Sequence, residues 1–572
     1  MGMGMSSYEE KKFKDPVYGY IRFSNELVNE IIDTAPFQRL RRIIQTNYSC
    51  LYLGAVHNRF SHSLGVYYLG KMASNALQNS LKKKQFKKEN YLPFFTIFEY
   101  ACLLHDIGHA PFSHVCEQYY SCNNDYKELH KELINIVGKN PSFSNVIQSN
   151  NIKKAKPHEI MSAIIGIESY ENLFLRLPNA DEEDTLNEYK AFFARCITGY
   201  TYTEKSLLCS FKNCLIGLLN SDIIDVDKLD YIIRDIYYAG FQSINLDYKR
   251  VLKSLMFIKK DNCLEIAFYK DAISVLENII YATDFERKWV HNHNTILYET
   301  YLLRAGINKV REKLESLTDN NKLLFSKASL SYKGTTFIFN DANEKRVEHI
   351  SLLSDDDIVC LLKKYAPDDI KKQYFDRSHR LHPLWKSKQE YLHLLRDITT
   401  TDQEELQSFL NDLSNLSSSY ENRVVDNEFI KHLKNELKEL KSGTNNDELL
   451  TNIDFEQQIS VREKILQKLE RCKSYLKSRG VEKLSFVILP NKDFETGFKN
   501  DGFGKINIAF SKDSNNVSKF ISITTLLKQR ENSNCTIEDV TYLFLDKKIY
   551  KSISVLDFIK NLLSNNETSV KN

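Results

Sequence analysis

The sequence predicts a mainly α-helical protein with a smaller α+β lobe towards its C-terminal end. Apolar residues recur at helical spacing from about residue 23 to 310, the period that gathers side chains on one helix face. Glycine is scarce, at 19 of 572 residues, which suits helices better than hairpins. Past residue 320 short β-type runs alternate with charged helical stretches, the pattern of an α+β lobe.

Taken in order, LVNEIIDTAPFQRLRRIIQ, SLGVYYLGKMASNALQNSL and FTIFEYACLLHDIGHAPFSHVCEQYY read as helices. Pro111 follows Gly108-His109-Ala110, so the helix through Leu103 and His105 is expected to end or kink there. SDIIDVDKLDYIIRDIYYAG reads as a long helix closing on Gly240. CLEIAFY reads as a strand, and a helix is expected from Ala272 to about Arg311. GTTFIFN then reads as a strand and DDDIVCLLKKYA as a capped helix. Residues 400–480 suit exposed helices with a connector near 442–447, and LSFVILP, KINIAF and KFISITTL suggest one small sheet. The final residues read as a disordered tail.

A chain this long exceeds a single core, so two or more lobes are expected. Formal net charge is only +3, which excludes a polycation built to coat nucleic acid. The eleven cysteines form no CxxC pair, and Cys102, Cys196, Cys209 and Cys214 sit in apolar runs as buried thiols. The N-terminus lacks an apolar signal core, and no run reaches the roughly 18 apolar residues of a membrane span. A cytoplasmic protein without a membrane partner is expected.

The chemistry gathers in four segments: His62 in HNRFSHSLGV, the doublet His105-Asp106, the pair His158-Glu159, and Asp227 in DVDKLDY. Imidazole and carboxylate together suit a divalent transition metal. The doublet ends the apolar run CLLHDIGH, where burying both side chains without partners costs several kcal/mol. Taken alone, the doublet also suits, less well, a hydrogen-bonded core network. The added segments favour a metal.

These segments resemble those of the HD-domain deoxynucleoside triphosphate triphosphohydrolases, which include SAM-and-HD-domain enzymes of animals and bacterial relatives without the SAM domain. DPVYGYI, IIDTAPFQRLR, HNRFSHSLGV, LLHDIGHAPFSH and DVDKLDYIIRD carry the likeness over roughly residues 11–310. The resemblance implies an HD helical core at 23–320, after an N-terminal segment at 1–22 with regulatory nucleotide contacts. A regulatory or oligomerisation lobe at 321–565 and a tail at 566–572 follow. It implies that His62, His105, Asp106 and Asp227 hold a divalent metal (Fe, Mn, Zn, Co or Ni), with Mg accompanying the nucleotide. His109 and His114 line the triphosphate, and His158 with Glu159 forms a catalytic histidine–acid dyad. Arg59, Lys228, Tyr231 and Asp235 grip phosphate and sugar, and Gln45 meets the sugar 3′-hydroxyl. On the residues alone, His109 and His114 also read as cap or core histidines, and Tyr231 with Asp235 as an ordinary hydrogen-bonded pair.

The implied reaction turns a dNTP into deoxynucleoside and inorganic triphosphate, a dGTPase-like activity that serves antiviral defence by draining nucleotide pools. Lys11, Asp33, Gln38 and Arg41 match a regulatory nucleotide site, taking GTP or a dNTP. A homo-oligomer, dimer or tetramer, is expected, and the C-terminal lobe offers charged helices to a protein partner. The chain departs from the family at Thr283 and His291, which stand where an Arg and a Tyr are usual. Arg287, one turn on, is the candidate substitute for the missing Arg, and Pro383 stands where a Lys is expected. Two alternatives stay open: an HD phosphodiesterase or nuclease on another nucleotide or nucleic acid, and a catalytically weak nucleotide sensor.

Overall fold

The computed structural model describes residues 10–82, 91–120, 126–149, 155–221, 224–241, 245–261, 263–316, 324–341, 344–396, 398–419, 423–442, 452–482, 484–491, 506–509, 520–522, 540–546, 549, 553 and 555–563. The chain divides into two compact units that interleave along the sequence. The first takes in residues 1–290, 307–365 and 495–535, the second 291–306, 366–494 and 536–572.

The first unit is a helical bundle around Arg59–Lys82, against which Leu92–Leu104 and Val226–Tyr238 pack. Leu92–Leu104 is apolar nearly all round and buried along most of its length, as a helix inside a bundle must be. Pro157–Ser169, Glu183–Thr198 and Leu207–Leu219 close the bundle. A hairpin of Glu10–Asp15 and Gly19–Ser24 precedes it. Its turn is built on Asp15, whose Oδ1 accepts from the amides of Val17 and Tyr18 at 2.8 and 2.9 Å, an Asx turn.

The second unit is the smaller α+β body. Its four-stranded antiparallel sheet runs His382–Pro383, Val540–Leu545, Ser485–Asn491, Val424–Asp426. Trp385, Leu413, Phe429, Leu433, Leu469, Ile488 and Ile559 belong to one core, closed by the helices Thr400–Ser419, Asn427–Ser442, Asn452–Ser478 and Val555–Leu563. The fold is therefore mainly α, a helical core with a smaller α+β unit.

Several local expectations are corrected. LVNEIIDTAPFQRLRRIIQ is not one helix but four short pieces, Asn25–Leu27, a π turn at Val28–Ile32, Ala35–Gln38 and a 3₁₀ turn at Arg39–Arg42. Thr34 is extended, and Pro36 opens a new helix rather than continuing the old one. The helix expected from Ala272 to Arg311 breaks after Glu286 into a π turn at Arg287–His291, then restarts at Asn294. The intervening His-Asn-His-Asn has low helix propensity. The helix around DVDKLDY begins only at Val226, because Asp225 caps it by accepting from the Lys228 amide at 2.6 Å. It ends where expected, at Gly240 with φ +83°.

The three C-terminal strand segments do not share a sheet. Ser485–Asn491 lies in the second unit, while Asn507–Ala509 runs parallel to Cys263–Tyr269 in the first, with Phe520–Ser522 outside it. The connector expected near 442–447, beyond Ser442, and the tail at 566–572 lie outside the described residues.

Two glycines set how closely the bundle packs. A Cβ on Gly65 would stand 1.9 Å from Asp230 Oδ1 and 2.5 Å from Arg234 Nη2, and one on Gly108 2.3 Å from the Ser162 amide nitrogen. Gly65→Ala and Gly108→Ala should each cost about 2 kcal/mol or more, measured by urea denaturation. Wild-type midpoints in both would contradict these approaches.

Candidate functional site

Three helices bring the first cluster together. His62 sits one turn into Arg59–Lys82, a helix whose start is fixed by Asn58, the side chain of which accepts from the Ser61 amide at 3.1 Å. His105 ends the apolar helix Leu92–Leu104, and Asp106 follows it. Asp227 stands in the first turn of Val226–Tyr238. His62 Nε2 lies 3.0 Å from Asp227 Oδ1, 3.5 Å from Asp106 Oδ2 and 3.3 Å from His105 Nε2. His105 Nε2 lies 3.4 Å from Asp106 Oδ1 and 3.6 Å from Asp227 Oδ1.

The donor chemistry fits a divalent metal. His62 Nδ1 faces Asp230 Oδ2 at 2.7 Å, and His105 Nδ1 faces the Cys102 carbonyl at 3.0 Å. Both partners are acceptors, so the ring protons sit on Nδ1 and both Nε2 lone pairs face one point. Two lone pairs cannot satisfy each other, but a cation between them can. Metal–nitrogen bonds of roughly 2.0–2.1 Å place neighbouring ligands about 3 Å apart, which matches the spacing here. Burial opposes charge on His62, yet Asp227 and Asp230 outweigh it and lift its pKa to about 9. Burial also opposes charge on Asp106 and Asp227, but Arg59 with the two imidazoles holds the former below the usual carboxylate range, and the imidazoles hold the latter. The pocket stabilises positive charge.

Behind His62 runs a buried chain that the sequence did not reveal. Asp230 accepts from Arg234 Nε at 2.8 Å and Nη2 at 3.1 Å, and Arg234 Nη1 donates to Asp15 at 2.9 Å. A carboxylate behind a ligating imidazole fixes its tautomer and raises its basicity. Here the Arg also ties that carboxylate to the N-terminal hairpin.

A second cluster adjoins the first: His109, His114, Glu117 and His158. The rings of His109 and His158 stack at 4.0 Å and 17°. The Glu117 carboxylate lies against His158 Nδ1 and 3.0 Å from His114 Nδ1. Burial opposes its charge, but the two histidines hold its pKa well below the usual range. One ligand atom from each of the four lies within 4.8 Å of the others, a set that can hold a cation, pass a proton or contact an anion. His109, fully buried, is held well below its ordinary pKa by burial and then by Arg59. The pairing expected between His158 and Glu159 gives way to His158–Glu117. Glu159 Oε2 instead accepts from the Lys156 amide at 2.8 Å, in the N-terminal cap of its own helix.

Arg59 joins the clusters. Its Nη1 donates to Asp106 at 2.7 Å, Nε to Ser113 Oγ at 2.9 Å and Nη2 to the Gln45 carbonyl at 3.3 Å. Gln45 Oε1 is buried without a hydrogen-bond partner among the described residues. Asp235 pairs with buried His57 at 2.7 Å, whose ring stacks on Tyr238, so the ordinary pairing of Asp235 with Tyr231 is not needed. Burial raises the Tyr231 pKa well above its usual value. Lys228 is engaged by the Ser221 carbonyl and Asp225.

Thr283 Oγ1 donates to the Ile279 carbonyl, Arg287 opens the π turn, and His291 falls in the second unit. Lys11 pairs with Asp33 at 3.1 Å, and Arg41 Nε donates to Gln38 at 2.8 Å while its guanidinium covers the Phe60 ring. Sequence reading missed Glu117, Asp230, Arg234 and His57. Asp230 and Arg234 carried a signal, being charged positions on the buried face of an amphipathic helix, three and seven residues after Asp227.

Purified protein should carry a divalent ion, lost in His62→Ala and Asp227→Ala and bound about 10–100-fold more weakly in Asp230→Ala, as read by elemental mass spectrometry. Chelation should lower the melting temperature of the wild type, since an ion at one hundred times its Kd adds about 2.7 kcal/mol. Full ion content in His62→Ala would refute the assignment.

Residues 59–165 match the HD domain family. The chain is 32% identical over 273 residues to the mouse deoxynucleoside triphosphate triphosphohydrolase SAMHD1, 44% of this chain and 38% of that protein. It is 30% identical over 286 residues to the human protein of that name, 50% of this chain and 42% of the other. An uncharacterized Mycoplasma pneumoniae protein, the MG461 homolog, is 26% identical over 322 residues, 55% and 63% of the two chains. The matches thus take in less than two thirds of these relatives. A crystal structure of a hypothetical Aquifex aeolicus protein shares the fold, with a TM-score of 0.50 and 19% identity over 96% of this chain and 100% of that one. No helix among the described residues is long and apolar enough to cross a membrane. His62, His105, Asp106 and the second cluster fall within the matched segment and Asp227 beyond it, so the chain carries an HD domain and is similar, over about half its length, to proteins named deoxynucleoside triphosphate triphosphohydrolases.

Proposed function

We propose that this protein is a metal-dependent phosphohydrolase that cleaves deoxynucleoside triphosphates to deoxynucleoside and inorganic triphosphate. One observation carries the reading: a His/Asp metal cluster shares Asp106 with a neighbouring proton-transfer cluster, and Arg59 spans both. When bound, the divalent cation supplies Lewis-acid polarisation of phosphate and a lowered pKa for water.

The rest falls to the chain's own groups. A water oxygen attacks the α-phosphorus, the bond to O5′ breaks, and O5′ takes a proton. His158, held by the Glu117 carboxylate, is placed to give that proton, and His114 shares the same carboxylate. Kept neutral by burial, His109 contributes hydrogen bonding without adding charge. Arg59 adds positive charge beside the phosphates. Gln45, with an unspent carbonyl oxygen, and Asp235, oriented by His57, suit sugar hydroxyls.

The same reading extends to regulation by a guanine or deoxynucleotide at Lys11, Asp33, Gln38 and Arg41, where a carboxylate, an amide and two cations lie together at the surface. It further extends to a homo-oligomer, to Mg with the substrate, to a cytoplasmic location, to a protein partner for the C-terminal lobe, and to a part in antiviral defence. A second reading, an HD phosphodiesterase on another nucleotide, is favoured by one feature. The Thr283 hydroxyl is tied to its own helix and offers no cation where the relatives' pattern has an Arg.

Incubation with each dNTP, alone and mixed, with Mn²⁺ or Mg²⁺, should release deoxynucleoside and inorganic triphosphate, resolved by chromatography. Asp106→Ala should abolish it. Absence of turnover in every mixture, with metal bound, would sink the proposal. Glu117→Gln should lower kcat about 10²-fold or more, while Glu159→Gln, which preserves a helix cap, should lower it far less. The reverse order would restore Glu159 as the partner of His158.

A further inference from the structure

The loop between the two clusters is held in an unfavourable shape by a residue almost 250 positions further along the chain. Phe112 and Ser113 are consecutive non-glycine residues with φ of 54° and 53°, the left-handed region that L side chains rarely adopt. They immediately precede His114, and Ser113 Oγ accepts from Arg59 Nε. Such strain persists only where the surroundings impose it.

Two buried side chains impose it. Asp355, 8% exposed, accepts from the Phe112 amide through Oδ1 at 2.6 Å and from the Ile44 amide through Oδ2 at 2.8 Å. Arg39, 4% exposed, donates to the carbonyls of Ile107 and His109 at 2.9 and 2.8 Å, and to Leu353, two residues before Asp355, at 2.9 Å. Ile44 belongs to the site too: its carbonyl accepts from Ser113 Oγ at 2.5 Å, and the next residue, Gln45, receives Arg59 Nη2.

Asp355 opens the helix Asp355–Tyr365, where an acid usually serves the helix's own amides. The start of this helix is closed instead by Asp357, which accepts from the amide and hydroxyl of the preceding Ser354, both at 2.8 Å. The Asp355 carboxylate is spent on the loop instead. Its base is anchored as well, since the amides of Leu352 and Leu353 donate to the carbonyls of Ser331 and Ser329.

We propose that Asp355 and Arg39 form a clasp that holds residues 107–115 in register with residues 43–45, making Asp355 a positioning residue for His114 and Arg59. The clasp concerns the geometry of the site and holds whichever phosphate compound is the substrate. The metal ligands have supports of their own: His62, His105 and Asp227 are held by Arg59–Lys82, by the end of Leu92–Leu104 and by Val226–Tyr238, and Asp106 follows directly on His105, so the clasp's loss is expected to leave them in place.

Asp355→Asn tests the clasp with little change in shape, because one oxygen remains and an NH₂ is set against the second amide. Hydrogen-exchange mass spectrometry on the full-length protein should show at least a tenfold loss of protection in peptides covering 107–115 and 43–46. Protection in Leu207–Leu219, metal content and melting behaviour should stay close to wild type. With a hydrolysable substrate, kcat should fall at least tenfold with KM within about threefold, and Asp355→Ala should be worse than Asn. Should the wild type hydrolyse no dNTP, the exchange result still decides the clasp. Exchange within twofold of wild type in both segments would overturn the proposal. So would a loss of protection spread evenly over the chain, or a loss of metal.

Discussion

The two Nε2 lone pairs of His62 and His105 face each other inside the helical bundle, both rings buried, and much of the first unit can be understood from what that demands. Each ring must carry its proton on the far nitrogen, so each needs an acceptor behind it. For His105 the acceptor is a carbonyl of its own helix. For His62 it is Asp230, a buried carboxylate that would be intolerable without Arg234, which in turn needs Asp15. One ligand atom thus recruits a chain of charges reaching the N-terminal hairpin, and Gly65 leaves the space in which the Asp230–Arg234 pair lies.

The second cluster follows a different rule. Three imidazoles beside Arg59 and a cation-binding pocket repel any further positive charge, and burial adds to the effect. Burial holds both His109 and His114 below their ordinary pKa, and Glu117 opposes the effect at His114. Asp106, in contact with both Arg59 and His109, joins the clusters into one site.

The strained turn at Phe112–Ser113 is where local preference and site geometry disagree. A relaxed turn would satisfy the backbone but carry His114 and Ser113 elsewhere. The clasp from Asp355 and Arg39 supplies the missing constraint from a segment of the first unit remote in sequence. Residues 307–365, which include Asp355, group with the helical bundle rather than with the second unit, where a boundary near residue 320 had been expected.

By itself the sequence determined that the chain is mainly helical, which segments carry histidine and acid, and that His62, His105, Asp106 and Asp227 belong together. The first two rest on helical periodicity and short local motifs, whereas the grouping of the four ligands, far apart in sequence, rests on the resemblance of their segments to a known family. Only the tertiary structure decided which carboxylate serves His158. Adjacent residues on a helix, such as His158 and Glu159, point away from each other by about 100°, whereas Glu117 comes in from another segment. The chain from His62 to Asp15, the pairing of His57 with Asp235, the sheet that receives Asn507–Ala509 and the reach of Asp355 to Phe112 were illegible for the same reason. Their long-range contacts join residues 168 to 243 positions apart, and no local pattern records such a contact.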